Sequence, residues 1–103
     1  MTGADAPVHG EVTDEVARLG PGGAVVIEQI VSGELAAPVE YLQATDEWVV
    51  VLAGEGVVEV AGVARRLTTG EWLMLPGGTP HRLVYTAPGT VWLTVHAPAG
   101  HRA

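Results

Sequence analysis

Residues 70–81 read GEWLMLPGGTPH, and this stretch decides the fold. The apolar run Trp72–Leu75 lies between Gly70 and the segment Pro-Gly-Gly-Thr-Pro at 76–80. Glycine and proline are the usual residues of tight turns. Proline has no backbone N–H to donate to a neighbouring strand, but at the end of a strand, where Pro76 lies, that hydrogen bond is not needed. The stretch therefore predicts a short strand, an ordered loop, and a second strand that begins at His81.

The same alternation of short apolar runs and turn residues fills the chain from residue 24 onward. Residues 11–19 (EVTDEVARL) carry only a weak pattern, which fits one or two helical turns or a lead-in strand. Short strands at close spacing without a long helix are typical of a β-sandwich or small barrel. The predicted strands, roughly eight, are Ala24–Val31, Pro38–Gln43, Glu47–Leu52, Val57–Val60, Ala64–Leu67, Trp72–Leu75, His81–Thr86 and Thr90–Ala97.

Four residues of the opening stretch have a distinctive spacing. The second motif of the cupin superfamily has the same spacing as Gly70, Pro76, Gly78 and His81 in this sequence. The chain therefore resembles small single-domain bacterial cupins over residues 24–97. The resemblance implies an all-β fold, the double-stranded β-helix or jelly-roll barrel with two antiparallel sheets. The implied organisation is an N-terminal extension over residues 1–20, a barrel over residues 21–98 and a C-terminal tail over residues 99–103.

The first cupin motif is only half present. Glu47 and Gly54 match its end, but Tyr41-Leu42-Gln43 stands where the family motif has His-x-His. Because cupins use these positions for metal ligands, the resemblance implies a divalent metal site in which two imidazoles are missing.

Strand alternation predicts which of these side chains meet. Residues two apart in a strand share a face, so Tyr41 lies with Gln43, and His81 with Tyr85. If these faces and that of Glu47 point inward, a buried carboxylate and imidazole need a partner, and a divalent cation would satisfy both. Gln43, Glu47 and His81 form a mixed oxygen and nitrogen set that suits Zn, Mn, Fe or Ni.

Each candidate ligand also has a structural interpretation. Glu47 at a strand start fits a solvated rim charge, and Gln43 fits an interior hydrogen-bonding residue equally well. His81 alone would fit a surface residue or a satisfied hydrogen bonder. His96 shares a face with Trp92, so it supplies a fourth ligand only if that tryptophan points inward.

Three interpretations of the function are considered. The first is a metal-dependent enzyme of dioxygenase, lyase, isomerase or cyclase type, with Glu47 and His81 as catalytic residues and Tyr41, Tyr85 and Trp48 as substrate-binding walls. The alternative is a non-catalytic small-molecule or sugar-binding cupin, or a sensor, possibly without metal. A metal-free module for dimerisation or partner docking is a third interpretation.

The composition limits the kinds of binding partner and of chemistry that the chain can have. The 103 residues carry 5 basic and 12 acidic side chains, a net charge of -7, which disfavours nucleic acid and anionic membrane surfaces. The chain has no Cys and no Lys, which excludes disulfides, thiolate metal sites and Schiff-base chemistry. No targeting segment is evident, so we expect a cytoplasmic protein. An outward apolar row of Trp48, Val50 and Leu52 leads us to expect a homodimer.

Overall fold

The computed structural model describes residue 7 and residues 10–99. Within these residues the secondary structure consists of strands and one 3₁₀ turn, Pro21–Gly23. No helix in this part of the chain is long and apolar enough to cross a membrane. The strands are β1 (Glu11–Leu19), β2 (Val25–Ser32), β3 (Val39–Tyr41), β4 (Asp46–Ala53), β5 (Glu55–Val60), β6 (Val63–Thr68), β7 (Trp72–Leu75), β8 (His81–Thr86) and β9 (Thr90–Ala97).

The strands form two antiparallel sheets, which confirms the predicted all-β class. One sheet has five strands in the order β1-β2-β9-β4-β7, and the other has four in the order β3-β8-β5-β6. Strands distant in the chain are neighbours in both sheets, as in a jelly roll. The turns predicted from glycine and proline lie where the chain passes from one strand to the next.

Residues 11–19 are a strand and not helical turns. They pair along β2, from Glu11 opposite Ser32 to Leu19 opposite Val25, so the predicted extension over residues 1–20 contributes an edge strand of the larger sheet. The register shifts between Glu15 and Ala17, where Val16 is the extra residue. This β-bulge explains why the apolar spacing imitated a helix, because a bulge breaks the two-residue period of a strand.

The core lies between the two sheets. Trp92 on β9 is its largest side chain and is only 3% exposed. A Cβ on Gly56 would overlap the indole ring of Trp92, so β5 needs glycine at this position for the sheets to close. The other buried core residues are Val49, Val51, Val58, Leu67, Leu75 and Leu83.

The outer face of the larger sheet is apolar along β4 and β7. Trp48 lies on this face, and its ring centroid is 6.2 Å from that of Trp72. Trp72 and Met74 are 57% and 46% exposed. In the expected outward row, Val50 is covered by its neighbours whereas Leu52 is exposed. A monomer would therefore leave large apolar side chains in water.

Candidate metal and ligand site

A cavity of about 170 Å³ lies at one end of the barrel, between the two sheets. Its floor is apolar and includes Trp92, and the polar side chains gather above it. The cavity is lined by Glu11, Thr13, Glu28, Ile30, Tyr41, Gln43, Glu47, Val49, Val58, Leu75, His81, Leu83, Trp92, Thr94 and His96. A concave, mostly apolar cavity with a few convergent polar groups is the usual form of a small-molecule site.

Two cross-strand pairs place the central residues. Glu47 on β4 is directly opposite His96 on β9 in the larger sheet. Tyr41 on β3 is directly opposite His81 on β8 in the smaller sheet, and their rings stack with centroids 5.4 Å apart. The sheets bring these pairs together, so that His81 Nε2 lies 3.4 Å from Glu47 Oε1.

The loop of the opening stretch holds this arrangement. Gly77 N–H donates to Asp46 Oδ1 at 2.7 Å, and Gly78 N–H donates to the Gln43 carbonyl at 2.7 Å. A Cβ on Gly77 would collide with the Ala44 carbonyl oxygen. The Gly-Gly pair therefore lets the loop lie against residues 43–46, which ties the start of β8 to the start of β4.

A network of hydrogen bonds fixes the wall of the cavity beside Tyr41. The Tyr41 hydroxyl donates to Glu11 Oε1 at 2.7 Å, and the Ser32 hydroxyl donates to Glu11 Oε2 at 2.7 Å. Trp92 Nε1–H donates to Ser32 Oγ at 3.1 Å. Burial and the bond to Glu11 raise the pKa of Tyr41, so it remains a neutral phenol and a wall residue.

Glu47 is the electrostatic centre of the site. Its second oxygen, Oε2, lies 3.7 Å from His96 Nε2, and the same nitrogen lies 3.3 Å from Glu28 Oε1. Burial, followed by the charges of Glu28 and Glu11, raises the pKa of Glu47 to about 7. The carboxylate is therefore costly to keep ionised unless a positive charge approaches it.

His81 presents a lone pair to this carboxylate. Its Nδ1 lies 3.2 Å from the Thr79 carbonyl oxygen, which can only accept, so Nδ1 carries the proton. In the neutral ring Nε2 is then an acceptor that faces another acceptor, Glu47 Oε1. Two facing acceptors need a proton or a metal ion between them.

Three buried oxygens have no hydrogen-bond partner within the described residues. They are Gln43 Oε1, Glu47 Oε1 and Thr94 Oγ1. No three His, Asp or Glu side chains of residues 10–99 converge closely enough to hold a metal by themselves. The amide oxygen of Gln43 lines the same cavity as Glu47 and His81, so these three side chains together could hold a divalent ion.

The structure brings together most of the predicted site residues. Tyr41, Gln43, Glu47, His81 and His96 all line the cavity. His96 was expected at the site only if Trp92 points inward. Trp92 does point inward, and His96 lies on the same face of β9 and lines the cavity.

Tyr85 and Trp48 do not line the cavity as the substrate-binding prediction required. Tyr85 is 48% exposed. The register between β5 and β8 shifts between Val57 and Val58, which leaves one extra residue on β8 and breaks the alternation that linked Tyr85 to His81. Trp48 follows Glu47 directly and therefore points to the outer face.

Four polar cavity residues were not predicted as site residues: Glu11, Thr13, Glu28 and Thr94. Glu28 and Thr94 are directly opposite each other on β2 and β9. The shared face of Thr94, Trp92 and His96 was visible in the sequence. The arrival of β1 and β2 beside β9 was not, because these pairings join distant parts of the chain.

Comparison with known proteins agrees with the observed fold. The Cupin_2 family model (Cupin domain) matches residues 26–96. Among curated proteins no relative matches the chain. A crystal structure from Ralstonia eutropha JMP134, provisionally named a mannose-6-phosphate isomerase, is 34% identical, with 93% of this chain and 94% of that chain covered at a TM-score of 0.75.

More distant structures share the fold. KdgF from a Halomonas species is 22% identical, with 86% of this chain and 81% of that chain covered at a TM-score of 0.76. The Cupin_2 domain of an XRE family transcriptional regulator from Enterobacter cloacae is 17% identical, with 86% and 97% covered at a TM-score of 0.74. The family match over most of the chain, together with this barrel and its motif residues, shows that the protein belongs to the cupin family.

Proposed function

We propose that this cupin binds a divalent metal ion through Gln43 Oε1, Glu47 Oε1 and His81 Nε2, and acts on a small organic molecule held in the same cavity. The observation that carries the proposal is the contact between Glu47 Oε1, a buried oxygen without a hydrogen-bond partner among the described residues, and the lone pair of His81 Nε2, 3.4 Å away. A second buried oxygen of this kind, Gln43 Oε1, belongs to a residue that lines the same cavity. A cation satisfies all three atoms at once, because each is an electron-pair donor.

Two of the proposed ligands, His81 and Glu47, have a second contact beside the one between them. The Thr79 carbonyl sets the tautomer of His81, as outer contacts of metal-bound histidines usually do. Glu47 supplies the negative charge, and His96 on its other oxygen is placed to become a fourth ligand or to contact the substrate. A Zn, Mn, Fe or Ni ion here would act as a Lewis acid towards a carbonyl or hydroxyl oxygen. Apolar side chains, including Trp92, line the rest of the cavity and would exclude water from the groups of a bound molecule that they contact.

Metal binding is tested directly on the protein purified without chelator. Elemental analysis should find a divalent ion at near-stoichiometric amount, and calorimetry on chelator-treated protein should show one site for Mn²⁺, Ni²⁺ or Zn²⁺. Absence of both would overturn the proposal. Turnover assays with hydroxyaldehydes and hydroxyketones of three or four carbons, which fit the cavity, then test for an isomerase or a lyase with and without metal. An isomerase is the activity in the name of the R. eutropha relative.

A non-catalytic binder or sensor is the second candidate. The observation that favours it is Tyr41, which replaces a family imidazole and is bonded to Glu11, so it does not offer a ligand to the metal. A protein that binds metal and small molecules but shows no metal-dependent turnover would have this second function.

The acidity of the site predicts a pH dependence of stability. In metal-free protein the pKa of Glu47 is raised to about 7 from its ordinary 4.5. The folded state then holds a proton that the unfolded state releases, so stability falls as pH rises from about 4.5 to about 7, by up to roughly 3 kcal/mol. Chemical denaturation at pH 5 and pH 8 measures this, with Glu47→Gln expected to flatten the slope.

A bound metal ion is expected to reverse the direction in which pH changes the stability. A bound cation favours ionised Glu47, so saturating Mn²⁺ should stabilise the protein at pH 8 more than at pH 5. The matched surface variant Glu59→Gln should retain the slope of the unmodified protein. If stability still depends on pH to the same extent in Glu47→Gln, the dependence arises from other titratable groups.

We also propose a homodimer that buries the outer face of the larger sheet. The face carries Trp48, Trp72 and Met74. The one charged residue of β4, β7 and β9 that shares this face by alternation, Asp46, is buried at the start of β4 and accepts a hydrogen bond from Gly77 N–H. Two copies can therefore approach there despite their net charge of -7 each. Light scattering should report a dimer that Trp72→Glu converts to a monomer and Trp72→Phe preserves. A monomeric unmodified protein at micromolar concentration would contradict this.

A further inference from the structure

Among the described residues, the cavity lining holds three carboxylates, and its only basic groups are the imidazoles of His81 and His96. The carboxylates are those of Glu11, Glu28 and Glu47, and no Arg is among the lining residues. Lys is absent from the sequence. Three of the four described arginines contact carboxylates elsewhere: Arg18 with Glu15, Arg66 with Glu55, and Arg82 with Glu59. The fourth, Arg65, is exposed on β6 and does not line the cavity.

The carboxylates are not equally available to a ligand. Both oxygens of Glu11 already accept hydrogen bonds from Ser32 and Tyr41. Glu47 faces the proposed metal position. Glu28 contacts His96 through Oε1 and accepts no hydrogen bond from a described hydroxyl or backbone N–H, so it remains the acidic group open to a bound molecule.

Thr94 lies directly opposite Glu28. The two residues are cross-strand partners on β2 and β9, which places their Cβ atoms about 5 Å apart on the cavity face. Thr94 is 1% exposed, and no described residue forms a hydrogen bond with its hydroxyl. A buried hydroxyl without a partner costs free energy, which a ligand group that bonds both residues would recover.

We propose that the Glu28–Thr94 end of the cavity binds the ammonium group of a small amine. This rests on the proposed function only in taking the cavity as the ligand site. With a divalent ion bound and both imidazoles neutral, three carboxylates leave the cavity with a formal charge of -1. An ammonium group neutralises that charge, donates to Glu28 and to Thr94 Oγ1, and lies where a carboxylate or phosphate would be repelled.

The size of the cavity limits the molecule. A cavity of about 150 Å³ holds a benzene ring in a protein interior, so 170 Å³ accommodates an amine of fewer than about ten non-hydrogen atoms. The substrate class that fits is therefore a short amine with a hydroxyl or carbonyl that reaches towards Glu47 and His81.

Three molecules on one carbon skeleton test the charge preference. They are 1-aminopropan-2-ol, propane-1,2-diol and lactate, which carry an ammonium, a hydroxyl and a carboxylate at the same position. Calorimetric titration at pH 7 should show the amino alcohol binding about tenfold or more tightly than the diol, with lactate weakest. The order is measured on metal-loaded and on chelator-treated protein.

Variants assign the effect to its residues. Glu28→Gln should remove the preference for the amine, and Thr94→Val should weaken amine binding severalfold while leaving the diol less affected. Glu59→Gln, a matched change on the outer surface, should leave the order unchanged. If Glu28→Gln does not fold, Thr94→Val provides the test, and unchanged amine binding in that variant would overturn the inference.

The outcomes separate this inference from the metal proposal. Tighter binding of lactate or of the diol, no binding of the amine at millimolar concentration, or a preference that persists in Glu28→Gln would overturn the inference. A preference seen only in metal-loaded protein would also overturn it, since coordination to the ion would then explain it. Metal content is measured separately, so a metal-free protein that still selects the amine supports the inference while the metal proposal fails.

Discussion

Trp92→Ala is expected to lower the free energy of unfolding by about 3–5 kcal/mol, the usual cost of removing a buried aromatic side chain. Trp92 is almost wholly buried, packs against Gly56, and donates through Nε1 to Ser32. Its loss opens a void between the sheets and frees the hydroxyl that orients Glu11. Domains of this size have a free energy of unfolding of about 5–15 kcal/mol, so the melting temperature of the variant should be well below that of the unmodified protein.

Trp92→Phe is the matched control. It keeps an aromatic ring and loses the N–H, so a smaller destabilisation of about 1–2 kcal/mol is expected. Urea denaturation followed by circular dichroism measures both values. A loss under about 1 kcal/mol for Trp92→Ala would show that the core closes around the deletion, contrary to the role assigned to this indole.

Glu47→Gln is expected to weaken divalent metal binding by about 100-fold or more. The change preserves the shape of the side chain but removes the only negative charge of the proposed ligand set. Loss of an outer contact alone costs about 10- to 100-fold in metal affinity, and loss of an anionic ligand should cost at least as much. His81→Ala should act in the same direction, since it removes the nitrogen ligand.

Glu59→Gln provides the matched control for this change. Glu59 pairs with Arg82 at the surface, at 3.1 Å, and does not line the cavity. Calorimetry with Mn²⁺ or Ni²⁺ should therefore give the same affinity for Glu59→Gln as for the unmodified protein. Equal affinities for Glu47→Gln and Glu59→Gln would place any metal outside the proposed site.

The strands and the central pair of the site could be predicted from local patterns. Pro76 and the two following glycines mark the loop that lies against residues 43–46, and motif spacing singled out Glu47 and His81. Alternation then placed Gln43 with Tyr41, and both line the cavity. These predictions succeed because turn chemistry and the two-residue period act over a few neighbouring residues.

Local alternation failed where a bulge interrupted it. The bulge in β8 turned Tyr85 outward, and the bulge in β1 made a strand resemble helical turns. A bulge depends on the pairing partner as much as on the bulged strand, so a single strand's sequence does not reveal it.

The amino-acid sequence by itself determined the all-β class, the turn positions and the two motif residues that meet in the barrel. Only the tertiary structure decided that His96 points inward and that Glu11 and Glu28 join Glu47 to make the cavity acidic. The physical reason is that β1, β2 and β9 meet through strand pairing between distant segments, and that pairing depends on the register and packing of the whole barrel.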